Sequence, residues 1–444
     1  MSAPHRTRRR VVGQLATLPL LALSRGSRAA ARERGGGTRE IDISGYNTAL
    51  LPREHGQLTP LTAPLRRRYP SRDHCMQMAG FFSDKRGLLV IAKDAHGGVA
   101  DWEIRPGATL RIHFHGEVPE VESQQIAPTV EAAAAAYRLW ASRQPWVMAR
   151  RRTAPRLNFF SVASQSTQAA ERAHLERVLA NTKPPIAVWF TQWRRYPFDQ
   201  KYPDYGAREP QEFARTLALC ALRSAIALPY VNGLLWDQTL ADFRETGVRV
   251  ALRTEAQDML PYNAELNNLQ FACPYTAPWQ ERIAAVRASL LDAEGHRSQG
   301  IYLDMLAAAP PAICWADDHG HRPGDPYAWA QGVRALLQEI DGVIMIEGNA
   351  EIYLDRVDYL LKHLDTEQPD AVPLWKLVYG DQAYAVGWRL PPGATAAQLR
   401  GAVRRAHSFG VAAGATPWMT SDPESVLFER GAAQAALAEA RPLQ

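Results

Sequence analysis

Short apolar runs alternate with longer segments of helical pattern through the second half of this 444-residue chain. Continuous apolar runs are typical of strands that are buried on both faces, and repeated strand–helix units imply a parallel sheet. From residue 184 onward, seven runs have this character: "PPIAVWF", "IALPYVNGLL", "VRVAL", "GIYLDML", "GVIMIEG", "AVPLWKLVY" and "FGVAAGA".

A closed barrel of this kind needs eight strands, so one strand is missing from the count. The stretch 156–164 and the stretch 425–430 are the two candidates for it. An open doubly wound sheet is the alternative, but it would carry a glycine-rich phosphate loop after its first strand. Neither GxGxxG nor GxxxxGK[ST] occurs in the chain. The pattern therefore favours an α/β fold, a (β/α)8 TIM-type barrel, over 184–444.

The preceding region has a different pattern. Residues 41–125 contain short apolar or alternating runs separated by turn residues, which predicts a smaller antiparallel β-sandwich domain. Residues 126–183 begin with a helix that Thr129 would cap, and they are predicted to be a helical connection to the barrel. Residues 32–40 are rich in glycine and arginine, which predicts a flexible linker.

The N-terminal residues 1–31 stand apart in charge. They hold six arginines and no acidic residue, so the formal net charge of +5 falls to −1 without them. A body with no excess positive charge has no general attraction to nucleic acid, and no nucleic-acid partner is predicted.

The same segment resembles an export signal. "TRRRVVGQLATLPLLALS" places paired arginines before an apolar run, and Ala29–Ala31 provides small residues for a signal peptidase. The order of residues fits the twin-arginine type. The apolar run is too short to remain as a membrane-spanning helix. We therefore expect a periplasmic or secreted protein without a membrane anchor after cleavage; a disordered basic tail is the alternative.

The four cysteines lie far apart, with no CxxC spacing. This spacing argues against a zinc ribbon or a redox motif, and it requires no disulfide. Cys75, Cys220, Cys273 and Cys314 are expected to be mostly buried small apolar residues.

Two acidic residues end consecutive predicted strands. Asp304 follows "GIYL" and Glu347 follows "GVIMI", and the two positions are 43 residues apart. Active sites of such barrels lie at the carboxyl ends of the strands, and neighbouring strands are about 4.8 Å apart. The two carboxylates can therefore approach the spacing of ~5–5.5 Å that a retaining glycosidase uses. The alternative is that one of them caps a helix, since Glu347 precedes "AEIYLDRVDYLL".

The stretches "GIYLDMLAAAPPAICWADDHGHRPG", "IMIEGNAEIYLD" and "AVPLWKLVYGDQ" resemble an uncharacterised bacterial family of predicted barrel glycosidases. That family is related to the endo-α-N-acetylgalactosaminidases. The resemblance covers roughly residues 184–420 and implies a β-sandwich before the barrel. It also implies that Asp304 is the nucleophile, that Glu347 is the acid/base, and that the substrate is an α-linked glycoside or oligosaccharide. The large endo-acting enzymes have further domains after the barrel, so a smaller α-glycoside is as well matched as a mucin-type glycan.

Other residues near predicted strand ends suit a sugar site, because aromatic faces stack on sugar rings and polar groups bind hydroxyls. Each of the aromatic residues could equally belong to the core. His319 and His321 could also bind a metal, but the sequence offers no third ligand, and no metal or cofactor is predicted. The candidate substrate-binding residues are Trp193, Trp236, Asp237, Asp318, His319, His321, Trp375 and Tyr379.

The function predicted from the sequence is a retaining glycoside hydrolase. A carbohydrate-binding protein that has kept the barrel and lost turnover is one alternative. A metal-dependent barrel hydrolase that uses His319 and His321 is the other.

The export signal makes a direct prediction. Twin-arginine transport depends on the arginine pair, so replacing Arg8 and Arg9 by lysine should leave the precursor in the cytoplasm. Fractionation of cells that express the wild type and the double variant measures this. Unchanged export of the double variant would contradict the twin-arginine assignment.

Overall fold

The computed structural model describes residues 36–415 except for short gaps. The gaps are 150–153, 158, 164–171, 174, 177–178, 181–183, 264–267, 292–297, 339–341, 363–368 and 390–395. The described residues, from Gly36 to Ala415, belong to one compact unit. The predicted export signal lies outside the described residues. Within the described ranges, no helix combines the length and the apolarity that spanning a membrane requires.

Two antiparallel sheets precede the barrel, as the sequence predicts for this region. One has four strands in the order β1-β8-β7-β4, and the other has five in the order β3-β2-β5-β6-β9. The strands are β1 Gly37–Asp42, β2 Thr48–Leu51, β3 Gln57–Pro60, β4 Leu65–Tyr69, β5 Met78–Phe82, β6 Gly87–Ala92, β7 Ala100–Arg105, β8 Thr109–Phe114 and β9 Val121–Ile126.

The first strand begins inside the stretch 32–40 that was predicted to be a flexible linker. Gly37 pairs with Phe114, and the ladder continues to Asp42 opposite Thr109. Polar residues are normal on an edge strand, which needs no buried side chain to pair through its backbone. The glycine-rich composition therefore concealed a strand.

The connection to the barrel starts with two helices, α1 Val130–Ala141 and α2 Pro145–Met148. Thr129 is the N-cap of α1, as predicted, and its side chain accepts a hydrogen bond from the backbone N–H of Ala132. The connection then gives way to a strand, β10 Phe159–Ala163, which pairs with the next barrel strand. The barrel thus begins before residue 184, the predicted boundary.

Eight parallel strands form a closed barrel, because β10 pairs with both β11 and β19. The first predicted location of the missing strand, 156–164, contains β10. The barrel strands are β10, β11 Ile186–Phe190, β12 Ala225–Asn232, β15 Gly300–Ala307, β16 Val343–Gly348, β17 Tyr359–Leu361, β18 Tyr384–Arg389 and β19 Val411–Ala415. A hairpin, β13 Leu235–Asp237 and β14 Leu269–Phe271, lies in the long connection between β12 and β15.

The helices between barrel strands do not form a complete (β/α)8 alternation. The connection from β16 to β17, all of whose residues are described, contains only a 3-10 turn, Glu351–Tyr353. Further helices in the described parts of the chain are α3 Pro210–Leu222, α4 Gly247–Val250, α5 Ala277–Leu291, α6 Ala328–Leu336, α7 Leu374–Tyr379 and α8 Ala396–Ser408, together with the 3-10 turn Ala241–Phe243.

Two predicted barrel strands are wrong. "VRVAL" forms the short helix α4, and "AVPLWKLVY" contains the helix α7, whose Trp375 and Tyr379 are one turn apart and buried. Their places in the barrel are taken by β17 and β18. β17 has only three residues inside a stretch of helical pattern, so periodicity alone could not reveal it.

A buried carboxylate joins the sheets to the barrel. Glu351 follows β16 and is fully buried. Its carboxylate accepts hydrogen bonds from the hydroxyls of Tyr137 in α1 (2.7 Å) and Tyr379 in α7 (2.6 Å), and from the backbone N–H of Gln77 (3.0 Å). Burial outweighs these donors and raises the pKa of Glu351 to about 7. One side chain thus links three separate parts of the chain.

This raised pKa predicts a pH-dependent stability. Folded Glu351 keeps its proton up to about pH 7, whereas the unfolded residue loses it near 4.5, so its contribution to stability falls as pH rises between these values. Glu351→Gln resembles the neutral acid and should remove this fall, a change of at most about 3 kcal/mol. Thermal unfolding of both proteins at pH 5 and pH 8 measures the difference.

The control for this experiment is Glu131→Gln, on the exposed first turn of α1. It should keep the wild-type pH dependence. Equal pH dependence of the wild type and Glu351→Gln would contradict the prediction.

Candidate active site

Asp304 lies near the carboxyl end of β15 and is held by two tyrosines. The hydroxyl of Tyr302 donates to Oδ1 of Asp304 at 2.7 Å, and the hydroxyl of Tyr230 donates to Oδ2 at 2.9 Å. Tyr302 precedes Asp304 by two residues on the same strand face, and Tyr230 is the register partner of Tyr302 on β12. Both carboxylate oxygens therefore have a fixed donor.

Glu347 lies at the same end of the neighbouring strand β16. The register pairs Leu303 with Ile346, so Asp304 and Glu347 are the next residues on the two neighbouring strands. The Glu347 side chain is buried, and its Oε1 is 3.4 Å from a guanidinium nitrogen of Arg72. The 3-10 turn that follows has Ala350 as its N-cap and no side-chain cap, so Glu347 does not serve as its cap.

The backbone between the two carboxylates is unusual. Met305 has a positive φ of 69°, and the β15–β16 register shifts between Leu303 and Ala307. Left-handed backbone is disfavoured for a side chain of this size and marks a local strain. The Met305 N–H points to Oε2 of Glu347 at 3.2 Å. The irregularity thus directs a backbone donor at the second carboxylate.

Burial and like charge act together on Asp304. Burial is the larger cause and the Glu347 charge the second, and both raise the pKa of Asp304 well above its ordinary value despite the two tyrosine donors. The pKa of Arg72 is also raised, which for an arginine favours the charged form. Burial would lower this pKa, but the nearby carboxylates, Glu347 first, outweigh it. The site therefore concentrates negative charge and meets it with one arginine from the N-terminal sheets.

The long segment after β11 is connected to Asp304 by a directional chain of hydrogen bonds. The N–H of Asp199 donates to the Tyr202 hydroxyl at 3.1 Å, which contacts the Tyr230 hydroxyl at 2.8 Å, and Tyr230 donates to Asp304. Since the Tyr230 proton points at Asp304, Tyr202 donates to Tyr230. The segment "TQWRRYPFDQKYPDYG" thus reaches the carboxylate pair.

Two more side chains are within electrostatic range of the pair. The pKa of Asp199 is raised, because partial desolvation, with the Glu347 charge, outweighs the opposing effect of Arg194. Tyr262 is half-buried, and burial together with the charges of Asp199, Asp304 and Glu347 raises its pKa. Both residues are more exposed to solvent than Glu347.

The family model described as "Domain of unknown function (DUF6259)" matches residues 128–390. This chain belongs to the DUF6259 family. The matched range contains both carboxylates and seven of the eight barrel strands.

A relative of the DUF6259 chain in Bacteroides thetaiotaomicron is named "Putative glycoside hydrolase". It is 27% identical over 225 residues, which are 47% of this chain and 33% of that protein. The chain thus matches about a third of the length of that relative.

Two solved structures share the fold. The α-N-acetylgalactosaminidase NagBb from Bifidobacterium bifidum has a TM-score of 0.67 at 13% identity, covering 90% of this chain and 75% of that one. The α-galactosidase TtGalA from Thermus thermophilus has a TM-score of 0.60 at 14% identity, covering 94% of this chain and 93% of that one. At such identities the similarity establishes the mixed α/β fold.

The predicted aromatic ligands of a sugar lie in the core of the DUF6259 chain. Trp193 donates to the carbonyl of Tyr230 and stacks on Phe213. Trp236 packs on Trp279, with 5.6 Å between ring centroids. All three tryptophans of the prediction and Tyr379 are at least nine-tenths buried: Trp193, Trp236, Trp375 and Tyr379.

The remaining predicted ligands divide into two groups. Asp237 is buried and accepts hydrogen bonds from the backbone N–H groups of Lys201 (2.7 Å) and Thr239 (2.8 Å), which holds the segment after β11 in place. Asp318 is exposed beside His319, and His319 and His321 lie together in a buried group. A direct contact of these residues with substrate stays a prediction.

Sequence reasoning missed Tyr230, Tyr302 and Arg72. The period of two along a strand could have revealed Tyr302, because "YLD" places it on the face of Asp304. Arg72 had no such signal, since it is 275 residues from Glu347 in the chain.

The repulsion between the two carboxylates predicts that neutralising Asp304 stabilises the folded protein. Asp304→Asn removes a half-buried charge beside Glu347, while its amide oxygen can still accept from one tyrosine hydroxyl and its NH2 can donate to the oxygen of the other. It should therefore raise the free energy of unfolding at pH 8 by about 1–3 kcal/mol. Chemical denaturation of the two proteins measures the change, with Asp84→Asn, on an exposed turn, as the control that should be neutral. A loss of stability in Asp304→Asn alone would contradict the electrostatic account.

Proposed function

We propose that the chain is a retaining glycoside hydrolase in which Asp304 is the nucleophile and Glu347 is the acid/base. The observation that carries the proposal is the placement of two carboxylates, the half-buried Asp304 and the buried Glu347, next to each other at the carboxyl ends of adjacent strands. The name of the Bacteroides relative and the fold of two α-glycosidases support the class of reaction.

The reaction would proceed in two displacements. An oxygen of Asp304 attacks the anomeric carbon, the bond to the glycosidic oxygen breaks, and Glu347 gives its proton to the leaving oxygen. Water then attacks the same carbon, the ester bond to Asp304 breaks, and Glu347 takes the proton of the water. Two inversions leave the anomeric configuration unchanged.

The surroundings of the two residues fit these roles. The hydroxyls of Tyr230 and Tyr302 orient both oxygens of Asp304 and stabilise its ionised form, which a nucleophile requires. The Arg72 nitrogen is 3.4 Å from Glu347, longer than a strong charge-assisted hydrogen bond, so the glutamate can accept a proton. The Glu347 charge helps to raise the pKa of Asp304, so ionisation of both carboxyls at once is disfavoured, and the proposed roles require that the proton resides on Glu347.

The substrate we propose is an α-glycoside. The structural neighbours are an α-galactosidase and an α-N-acetylgalactosaminidase, so aryl α-galactosides and α-N-acetylgalactosaminides begin the substrate panel. We propose that Tyr262 and Asp199, which lie within electrostatic range of the pair and are more exposed than Glu347, contact the sugar. The twin-arginine-like segment supports export, and we propose a periplasmic or secreted enzyme.

The two alternative functions have different observable consequences. A carbohydrate-binding protein would bind members of the panel without turnover. A metal-dependent hydrolase would need an open coordination position at His319 and His321, whereas both rings are buried beside two cysteines.

The acid/base assignment predicts a selective defect. Glu347→Ala should slow substrates with poor leaving groups by a factor of about 10³ or more, and activated aryl glycosides much less, because the latter need no proton. Azide should restore turnover of the activated substrates by attacking the glycosyl-enzyme in the space left by the side chain. The comparison of leaving groups within one variant is its own control.

Two further measurements complete this test. NMR of the first-formed product should show the anomeric configuration of the substrate, and a slowly released fluoro-sugar should label the peptide that contains Asp304. An inverted product, or a label on another residue, would contradict the mechanism.

A further inference from the structure

We propose that Cys273, Cys314, His319 and His321 form a structural zinc site. Their ligand atoms all lie within 4.8 Å of one another, and all four residues are buried. Two thiols and two imidazoles are the ligand set of tetrahedral structural zinc sites in proteins.

The distances between ligand atoms fit a tetrahedral ion. With Zn–S near 2.3 Å and Zn–N near 2.05 Å, a tetrahedron places sulfur and nitrogen about 3.5 Å apart. Sγ of Cys273 is 3.5 Å from Nε2 of His321, and Sγ of Cys314 is 3.3 Å from Nδ1 of His319. The side chains therefore need little movement to close around zinc.

The second nitrogen of each imidazole is directed at an oxygen. Nδ1 of His321 is 2.8 Å from the carbonyl oxygen of Arg322, and Nε2 of His319 is 3.7 Å from a carboxylate oxygen of Asp318. Histidines that bind metal commonly present their other N–H to a carbonyl or carboxylate, which fixes the ring and its tautomer. This orientation leaves Nε2 of His321 and Nδ1 of His319 for the ion.

The backbone holds the four residues from two different connections. Cys273 follows β14, and its N–H donates to the carbonyl of Val250. The other three lie in the connection from β15 to α6, where the N–H of Gly324 donates a hydrogen bond to the carbonyl of Cys314 at 2.8 Å. Gly320, between the two histidines, has a φ of +82° that a larger residue would rarely adopt. Zinc would thus join the segment that follows Asp304 to the β13–β14 insertion.

Four protein ligands and deep burial leave no open position for water or substrate. Such closed sites stabilise a fold, whereas catalytic zinc keeps one exchangeable ligand. The proposal does not depend on the glycosidase assignment, since it concerns only the folding of these two connections.

Metal analysis of the full chain, purified without chelators, tests the proposal. The wild type should contain one zinc per chain, and its cobalt-substituted form should show intense tetrahedral ligand-field bands and a thiolate-to-cobalt charge-transfer band. Strong chelation should remove the metal and lower Tm by several degrees, since metal binding contributes to folding. All of these readouts use the wild-type protein and need no activity.

Matched variants locate the site. Cys273→Ala and His321→Ala should lose the zinc, whereas Cys220→Ala, which alters a buried cysteine in α3 outside the group, should keep it. Wild type that fails to retain zinc after incubation with the metal, or a Cys273–Cys314 disulfide in peptide maps of the exported protein, would overturn the proposal. Zinc retained in full by Cys273→Ala would also overturn it.

Discussion

The placement of two like-charged carboxylates side by side, Glu347 buried and Asp304 half-buried, is the constraint on which the rest of this structure depends. Each charge loses part of its hydration, and each raises the energy of the other, so the pair can persist only with donors directed at it. Two tyrosine hydroxyls serve Asp304, and one backbone N–H with one guanidinium serves Glu347. The positive φ of Met305 is a backbone strain that serves the same purpose, since this conformation orients the Met305 N–H toward Glu347.

The N-terminal region completes this group of donors, because the barrel strands supply the two tyrosines and the Met305 N–H but not the guanidinium of Arg72. Arg72 comes from the segment after β4, and its N–H also donates to the carbonyl of Ala307 at the end of β15. The neighbouring carbonyl of Glu54 accepts from Asn349 and from Lys362, which follow the next two strands. Glu351, which follows β16, also links the N-terminal region to the barrel through its hydrogen bond with the backbone N–H of Gln77. The sheets and the barrel ends therefore fold as one unit rather than as two independent domains.

The sequence predicted the elements that have a strong local pattern. β11, β12, β15, β16 and β19 are apolar runs bounded by turn residues, and the two carboxylates are visible because each interrupts such a run. β17 has three residues and β18 follows a helix that was taken for a strand, so local periodicity could not separate them. Trp375 and Tyr379 were misplaced for the same reason. Contacts between distant segments, such as Arg72 with Glu347, have no local pattern at all.

Hydrogen bonds and side-chain contacts hold the connections after β11 and β15 in place at the carboxyl ends of the barrel strands. The segment after β11 is tied to Asp304 through Tyr202 and Tyr230, and to the insertion through Asp237. The segment after β15 meets that same insertion at Cys273, where the four sulfur and nitrogen ligands converge. A displacement of either connection would disturb the tyrosine donors or the strained turn at Met305. Since a shift of about 1 Å in a reacting group can cost a large factor in rate, fixing these connections is a requirement of the chemistry proposed for the pair.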